Sequence, residues 1–289
     1  MIVLGVVLML VAALLNATAS VLQRHAAKKL PQLSAFSPTM LLDLARHPSW
    51  TLGIATMTAG FVLHGVSISV SRIALVQPLL IAELPFTLLL ASWVFRLRIQ
   101  SRDWLAIAMA SVGLATFVAC LSPEGGDPRV STTAWALGIA VTIAPIAVLV
   151  VLGYRGRREH RAALLGIATG AAFGLNSALI AGVGAELSHG GSLLTTWQTY
   201  GIAVLGPVSF FLLQNALHAG NLFASQPGFT LVNPLVSVAW GLAVFGEYGR
   251  GGLFLIGVLL GTAFLIAATI MLSQSPLLDP DAPGHQQHR

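Results

Sequence analysis

The chain has 289 residues, 56% of them apolar and only 9% charged, with a mean hydropathy of +0.83. Soluble domains carry about a quarter charged residues, so a water-facing globular surface is excluded on composition. The one cysteine, Cys120, rules out a disulfide framework and a cysteine-based metal site. The isoelectric point near 10.1 comes from basic residues scattered through short loops, not from a nucleic-acid-binding stripe.

A helix needs about 20 apolar residues to cross the hydrocarbon core. The hydropathy pattern predicts an all-α polytopic membrane helix bundle of about nine spans: 2–23, 50–71, 73–95, 103–121, 133–152, 162–183, 197–217, 222–245 and 252–272. The first span has the look of a signal-peptide core. It lacks a basic leader, however, and Arg24, Lys28 and Lys29 follow it, as expected of a retained helix. The Asn16-Ala17-Thr18 sequon falls inside this span and reads as chance. The longest connection, 25–49, has room for a short interfacial helix. Residues 122–132 read as a solvated loop. The tail 273–289 reads as disordered and cytoplasmic, its histidines solvated rather than metal-binding.

Basic residues set the orientation. With the first loop on the cytoplasmic side, twelve Lys and Arg residues gather there, among them Arg96, Arg98, Arg102 and the Arg155–Arg161 cluster. Only Arg72, Arg129 and Arg250 face the other way. The expected placement is the inner membrane of a bacterium, N-terminus outside and C-terminus inside. The positive-inside bias accounts for the Arg155–Arg161 cluster without a dedicated anionic-lipid site.

The chain also resembles itself. Span three contains QPLLIAELP (Gln77 to Pro85) and span eight contains QPGFTLVNP (Gln226 to Pro234), 149 positions apart. Trp50 and Trp197 each open the preceding helix, and LLNATASVL in span one parallels GLNSALIAG in span six, setting Asn16 opposite Asn176. Spans one to four (1–121) then repeat as spans six to nine (162–272), with a loop and span five (122–161) between. One intervening span inverts the second copy, the design many secondary transporters use around a midplane site.

A four-helix unit with this punctuation, duplicated upside down, resembles the drug/metabolite transporter superfamily of EamA-like proteins. Most of the likeness lies in the string from His47 to Trp104. The Pro48-x-Trp50-x-x-Gly53 opening, Val76-Gln77-Pro78-Leu79 and the nine-span count resemble the NIPA-type magnesium transporter branch. The resemblance implies transport without ATP, and it departs from the superfamily's usual ten spans by a missing last helix.

Glu83 is the sharpest single residue, the one acidic side chain clearly within a span. A charge at a helix centre costs about 2.5–3.5 kcal/mol on insertion scales, so it needs an aqueous cavity, a partner or a proton. It is the residue expected to exchange a proton for a cationic substrate, or to hold the cation if one binds; the structural alternative is a protonated Glu bonded to a neighbouring helix. Pro78, Pro85, Pro227 and Pro234 are expected to break spans three and eight symmetrically, freeing carbonyls toward a cavity. Asn16, Gln77, Asn176, Gln214, Asn215, Gln226 and Asn233, with His64 and His218, are expected to outline a central polar path, though each alone is ordinary interhelical glue worth about 0.6 kcal/mol. Gly166, Gly170 and Gly174, and Gly257 with Gly261, read as packing positions.

No Walker-type phosphate loop, HExxH or GxSxG motif is present, so neither ATP hydrolysis nor hydrolase chemistry is supported, and no cofactor is expected. Expected partners are the bilayer and a small-molecule or cation substrate, with no nucleic acid; a homodimer is left open. Three functions remain: a secondary transporter of a small metabolite or cation, a magnesium transporter, and a non-transporting membrane assembly or accessory protein.

Overall fold

The computed structural model describes residues 2–27, 48–96, 98–155, 158–218 and 222–274. The expected interfacial helix falls on 28–47 and most of the tail on 275–289, both outside the described residues.

The chain is a membrane-embedded helical bundle. Its elements are α1 (Ile2–Ala27), α2 (Pro48–Val70), α3 (Ile73–Val76), a 3-10 turn (Gln77–Ala82), α4 (Glu83–Phe95), α5 (Ser101–Leu121), α6 (Thr132–Arg155), α7 (Arg158–Ser188), α8 (Trp197–His218), α9 (Leu222–Ala239) and α10 (Phe254–Ser273). A π-helical turn, Trp240–Val244, closes α9. Among the described residues seven stretches are long and apolar enough to cross a membrane, with Ile73–Phe95 counting as one. Trp197–Leu213 and Thr230–Val244 are apolar but shorter.

Large apolar side chains line the outside: Val141 is 66% exposed, Val204 69% and Leu259 70%. In water such a surface would be an aggregation liability; in lipid it is the correct solvent-facing side, since helices satisfy their own backbone there.

Helix ends follow local chemistry. At the start of α5, Asp103 Oδ2 accepts the backbone N–H of Gln100 at 3.1 Å, closing a capping box. Arg96 ends α4 in the left-handed region, φ 54°. α1 packs on α2 and α4, α7 on α8 and α9, and α5 on α10. At this last crossing a Cβ on Gly261 would come within 2.9 Å of the Gly113 carbonyl oxygen, and a Cβ on Gly257 would collide with Cys120. These glycines are packing positions, as their spacing implied.

One end of the bundle collects Ile2, the α2–α3 connection, the α5–α6 loop, the α7–α8 loop and the α9–α10 loop around a single cleft. There the predicted solvated loop 122–132 is more ordered than expected. Glu124–Gly125 forms β1, which pairs antiparallel with β2, Glu247–Tyr248, and Pro123 is fully buried. The cause is a long-range partner that lies beyond the loop's own composition. We call this the ribbon end. The third span starts from it at Ile73 and the eighth arrives at it at Val244, so the two run in opposite directions.

Candidate functional site

The third span is broken where its prolines predicted. Pro78 opens the 3-10 turn, and Pro85 lacks the N–H that would hold the Ile81 carbonyl in an α-helix. The N–H of Glu83 reaches the Leu80 carbonyl three residues back. Glu83, first residue of α4 and partly buried, thus stands at the junction of two helix types. The side chain of Asn16 on α1 lies beside its carboxyl. Asn16 in turn lies against Gly60 of α2, where any Cβ would collide with its Oδ1.

Gln77 is fully buried in the same turn, its Nε2 placed 3.1 Å from His64 Nε2 on α2, while its Oε1 has no partner. As placed, Gln77 Nε2–H donates to His64 Nε2; with the amide turned over, His64 Nε2–H donates to the carbonyl oxygen instead, so the pair bonds in either orientation. Asn16, His64, Gln77 and Glu83 therefore belong to one corner, built by α1, α2 and the broken span.

The second half differs. α9 runs as continuous α-helix through Pro227 and Pro234, so these two are not the breaks expected of them. A proline removes one hydrogen bond, and a helix can absorb that loss by bending; α6 and α8 likewise carry Pro145 and Pro207 inside. The irregularity comes later, in the π-turn where the Phe245 N–H bonds the Trp240 carbonyl at 3.0 Å. Asn176 Nδ2 donates to Ser209 Oγ at 2.9 Å, tying α7 to α8. Ser237 Oγ donates to the Asn233 carbonyl at 2.9 Å. Asn215 Nδ2 donates to the Phe211 carbonyl one turn back, so Asn215 serves its own helix. The side chains of Gln214, His218, Gln226 and Pro227 lie outside the described residues. Among the described residues the side chains expected along the central polar path make separate pairings, the richest around Glu83.

Glu247 was not anticipated. It follows the π-turn, is 6% exposed, and accepts the Ile73 N–H on Oε1 and the Ala74 N–H on Oε2, both at 3.0 Å. It caps the first turn of the third span from a loop on the far side of the sequence. Burial pushes its carboxyl above the ordinary range, against the two N–H groups and the nearby Arg72 charge, which pull it down. Gly241 leaves room for it, since a Cβ there would come within 2.6 Å of Oε2. Gly126, at φ +76°, packs on its stem, and Arg72 Nη1 donates to the Gly126 carbonyl at 3.1 Å. The only sequence signal was a lone acid in a Gly-flanked turn.

Beside it Trp135, Trp240 and Phe245 pack together with centroids 5.1–5.7 Å apart, and Trp197 meets Trp135 edge-on at 5.2 Å. Both buried indoles find partners: Trp135 Nε1–H donates to the Pro128 carbonyl and Trp240 Nε1–H to Thr142 Oγ1. The cleft at this end, about 600 Å³, is lined by Ser69, Arg72, Asp127, Ala181, His189 and Tyr248 among others. Among the described residues no group of three or more His, Cys, Asp or Glu side chains is placed to hold a metal ion.

No family model and no solved structure matches the chain. It is similar to an uncharacterized protein of Corynebacterium glutamicum, 27% identical over 248 residues, which cover 84% of this chain and 85% of that protein.

Proposed function

We propose that the chain is a secondary membrane transporter of the drug/metabolite type, moving a small metabolite or cation by alternating access of two inverted four-helix halves. The reading rests on one observation above the others. A carboxylate and an amide, Glu83 and Asn16, meet beside a break in a membrane helix whose counterpart in the other half runs the opposite way. An intramembrane carboxyl is expensive to keep, and a helix break beside it supplies free carbonyls that a passing ligand can use. The ribbon end, which holds Arg72, Arg129 and Arg250, is the outer face by the charge bias of the loops.

Magnesium is the alternative cargo. It takes oxygen ligands in near-octahedral order, usually one or two carboxylates with retained water. Glu83 offers one carboxylate and Asn16 one amide oxygen, which is thin. An organic cation needs only a single counter-charge, so the first reading is preferred.

The test is flux into proteoliposomes, followed by solid-supported-membrane electrophysiology with a panel of organic cations and with magnesium chloride. A current for at least one compound, lost in Glu83→Gln, is the expected result. Equal currents from both proteins, with the same pH dependence, would remove Glu83 from the mechanism. Absence of both substrate uptake and current for every compound at good reconstitution favours the accessory-protein reading.

A further inference from the structure

The ribbon end is closed by contacts that join the two halves at the start of span three and the end of span eight. Apolar packing makes part of this closure, with Ile73, Ala74, Val76, Trp240 and Phe245 in one buried cluster, and a polar tie crosses it. The Ile73 and Ala74 N–H groups belong to a four-residue helix that is followed at once by the 3-10 turn, so this short arm has little helix of its own to hold it in place. Besides its apolar packing, the Glu247 carboxylate ties it down, reaching across from the other half with one oxygen for each N–H. Four N–H groups at a helix start have no partner within the helix, and here two of them take theirs from a residue 174 and 173 positions away.

Both sides of this joint sit on irregular backbone, the 3-10 turn on one and the π-turn on the other. Such stretches are where helices commonly hinge. Arg72, Gly126 and Tyr248 beside the joint line the open cleft, and Ile73 and Ala74 themselves belong to the buried cluster with Met9, Ala13, Ile68 and Ala178. The joint thus lies between Arg72, which lines the cleft, and the 3-10 turn that carries Gln77 and leads to Glu83.

We propose that Glu247 is the latch of an outer gate: its carboxylate holds the short arm of span three against the end of span eight, and releasing the two N–H groups opens the ribbon end toward Glu83. Glu247 is a positioning residue here, since it holds backbone and need not touch cargo. The gate deepens the transport reading and takes its purpose from it, but its test needs no substrate.

The reporter is Ala178→Cys in a Cys120→Ser background, reconstituted in liposomes and labelled from outside with a membrane-impermeant maleimide. Ala178 is fully buried on α7, one turn deeper than Ala181, which lines the cleft. Glu247→Gln keeps size but places a donor against a donor. Leaving one buried N–H without its acceptor alters such an equilibrium by about tenfold, so labelling is expected to rise by that factor. Glu247→Asp, charged but shorter, is expected to fall between. Hydrogen exchange should lose protection at 73–76 and 240–248 together, leaving 165–180 as in the unsubstituted protein. A merely structural cap loosens the amides without admitting the maleimide.

Equal labelling in all three proteins, each eluting as the parent does, overturns the latch. Should neither variant fold, the parent decides: the 73–76 and 240–248 amides must exchange together and faster than the 165–180 core, and equal protection overturns the proposal. A gate that opens in a protein with no flux leaves the latch standing and removes the transport reading.

Discussion

Asn16 and Gly60 face each other across the α1–α2 contact so closely that the amide oxygen fills the space a side chain at position 60 would need. The glycine is what allows Asn16 to lie between α2 and Glu83. Gly60→Ala is expected to push Asn16 off the Glu83 carboxyl, with overpacking costing about 1–3 kcal/mol. Thermal unfolding in detergent should report the lower stability. The paired variant Gly60→Ala/Asn16→Ala, which removes the collision, should recover most of it, and failure to recover would place the strain elsewhere.

His64 and Gln77 depend on each other. His64→Ala leaves the buried Gln77 amide without its partner, at a cost of about 1–3 kcal/mol for an unsatisfied buried group. Gln77→Leu in the His64→Ala background should be milder than His64→Ala alone. A double-mutant cycle on unfolding midpoints measures the coupling, and additive effects would mean that the two side chains do not bond.

The indole of Trp240 is satisfied by a single hydroxyl, Thr142 Oγ1, at 3.0 Å. Thr142→Val keeps the shape and removes the acceptor, so a loss of about 1–3 kcal/mol is expected, while Thr142→Ser should behave as the parent. Tryptophan fluorescence during unfolding would follow both.

Glu247 makes stability at the ribbon end depend on pH in a stated direction. Its folded carboxyl lies above the ordinary 4.5, with burial the leading cause. The folded state therefore binds this proton more tightly than the unfolded chain does, and ionisation weakens folding. Stability from this group is full below 4.5 and is lost as pH rises through the raised value. The unfolding midpoint of the parent should fall relative to Glu247→Gln as pH increases from about 4.5. Asp127, held below its usual range chiefly by its hydrogen bond to Arg129, works with the opposite sign and cancels in that difference. A flat difference would mean that the carboxyl titrates as if exposed.

The span boundaries were legible because apolar length is a local property: 73–95 and Ile73–Phe95 coincide, and 197–217 differs from Trp197–His218 by one residue. The 3-10 break was legible too, since Pro78 and Pro85 bracket Glu83 within nine residues. Pro227 and Pro234 carry the same spacing and leave α9 helical, because a missing hydrogen bond permits a break without compelling one. Glu247 was beyond reach. Its loop reads as an ordinary polar turn, and its burial comes from Ile73 and Ala74, which no local window contains. Trp135 and Trp240 were opaque for the same reason: stacking is decided by which spans become neighbours.

The six residues from Gln77 to Ala82 also carry a mechanical consequence. A 3-10 turn rises about 2.0 Å and turns about 120° per residue, whereas an α-helix rises about 1.5 Å and turns about 100°. Winding this segment into α form would draw α4 toward α3 by about 3 Å and rotate it by about 120°. With Ile73 pinned by its carboxylate clasp, that motion is a screw with one end fixed, and Glu83 sits on the turning end.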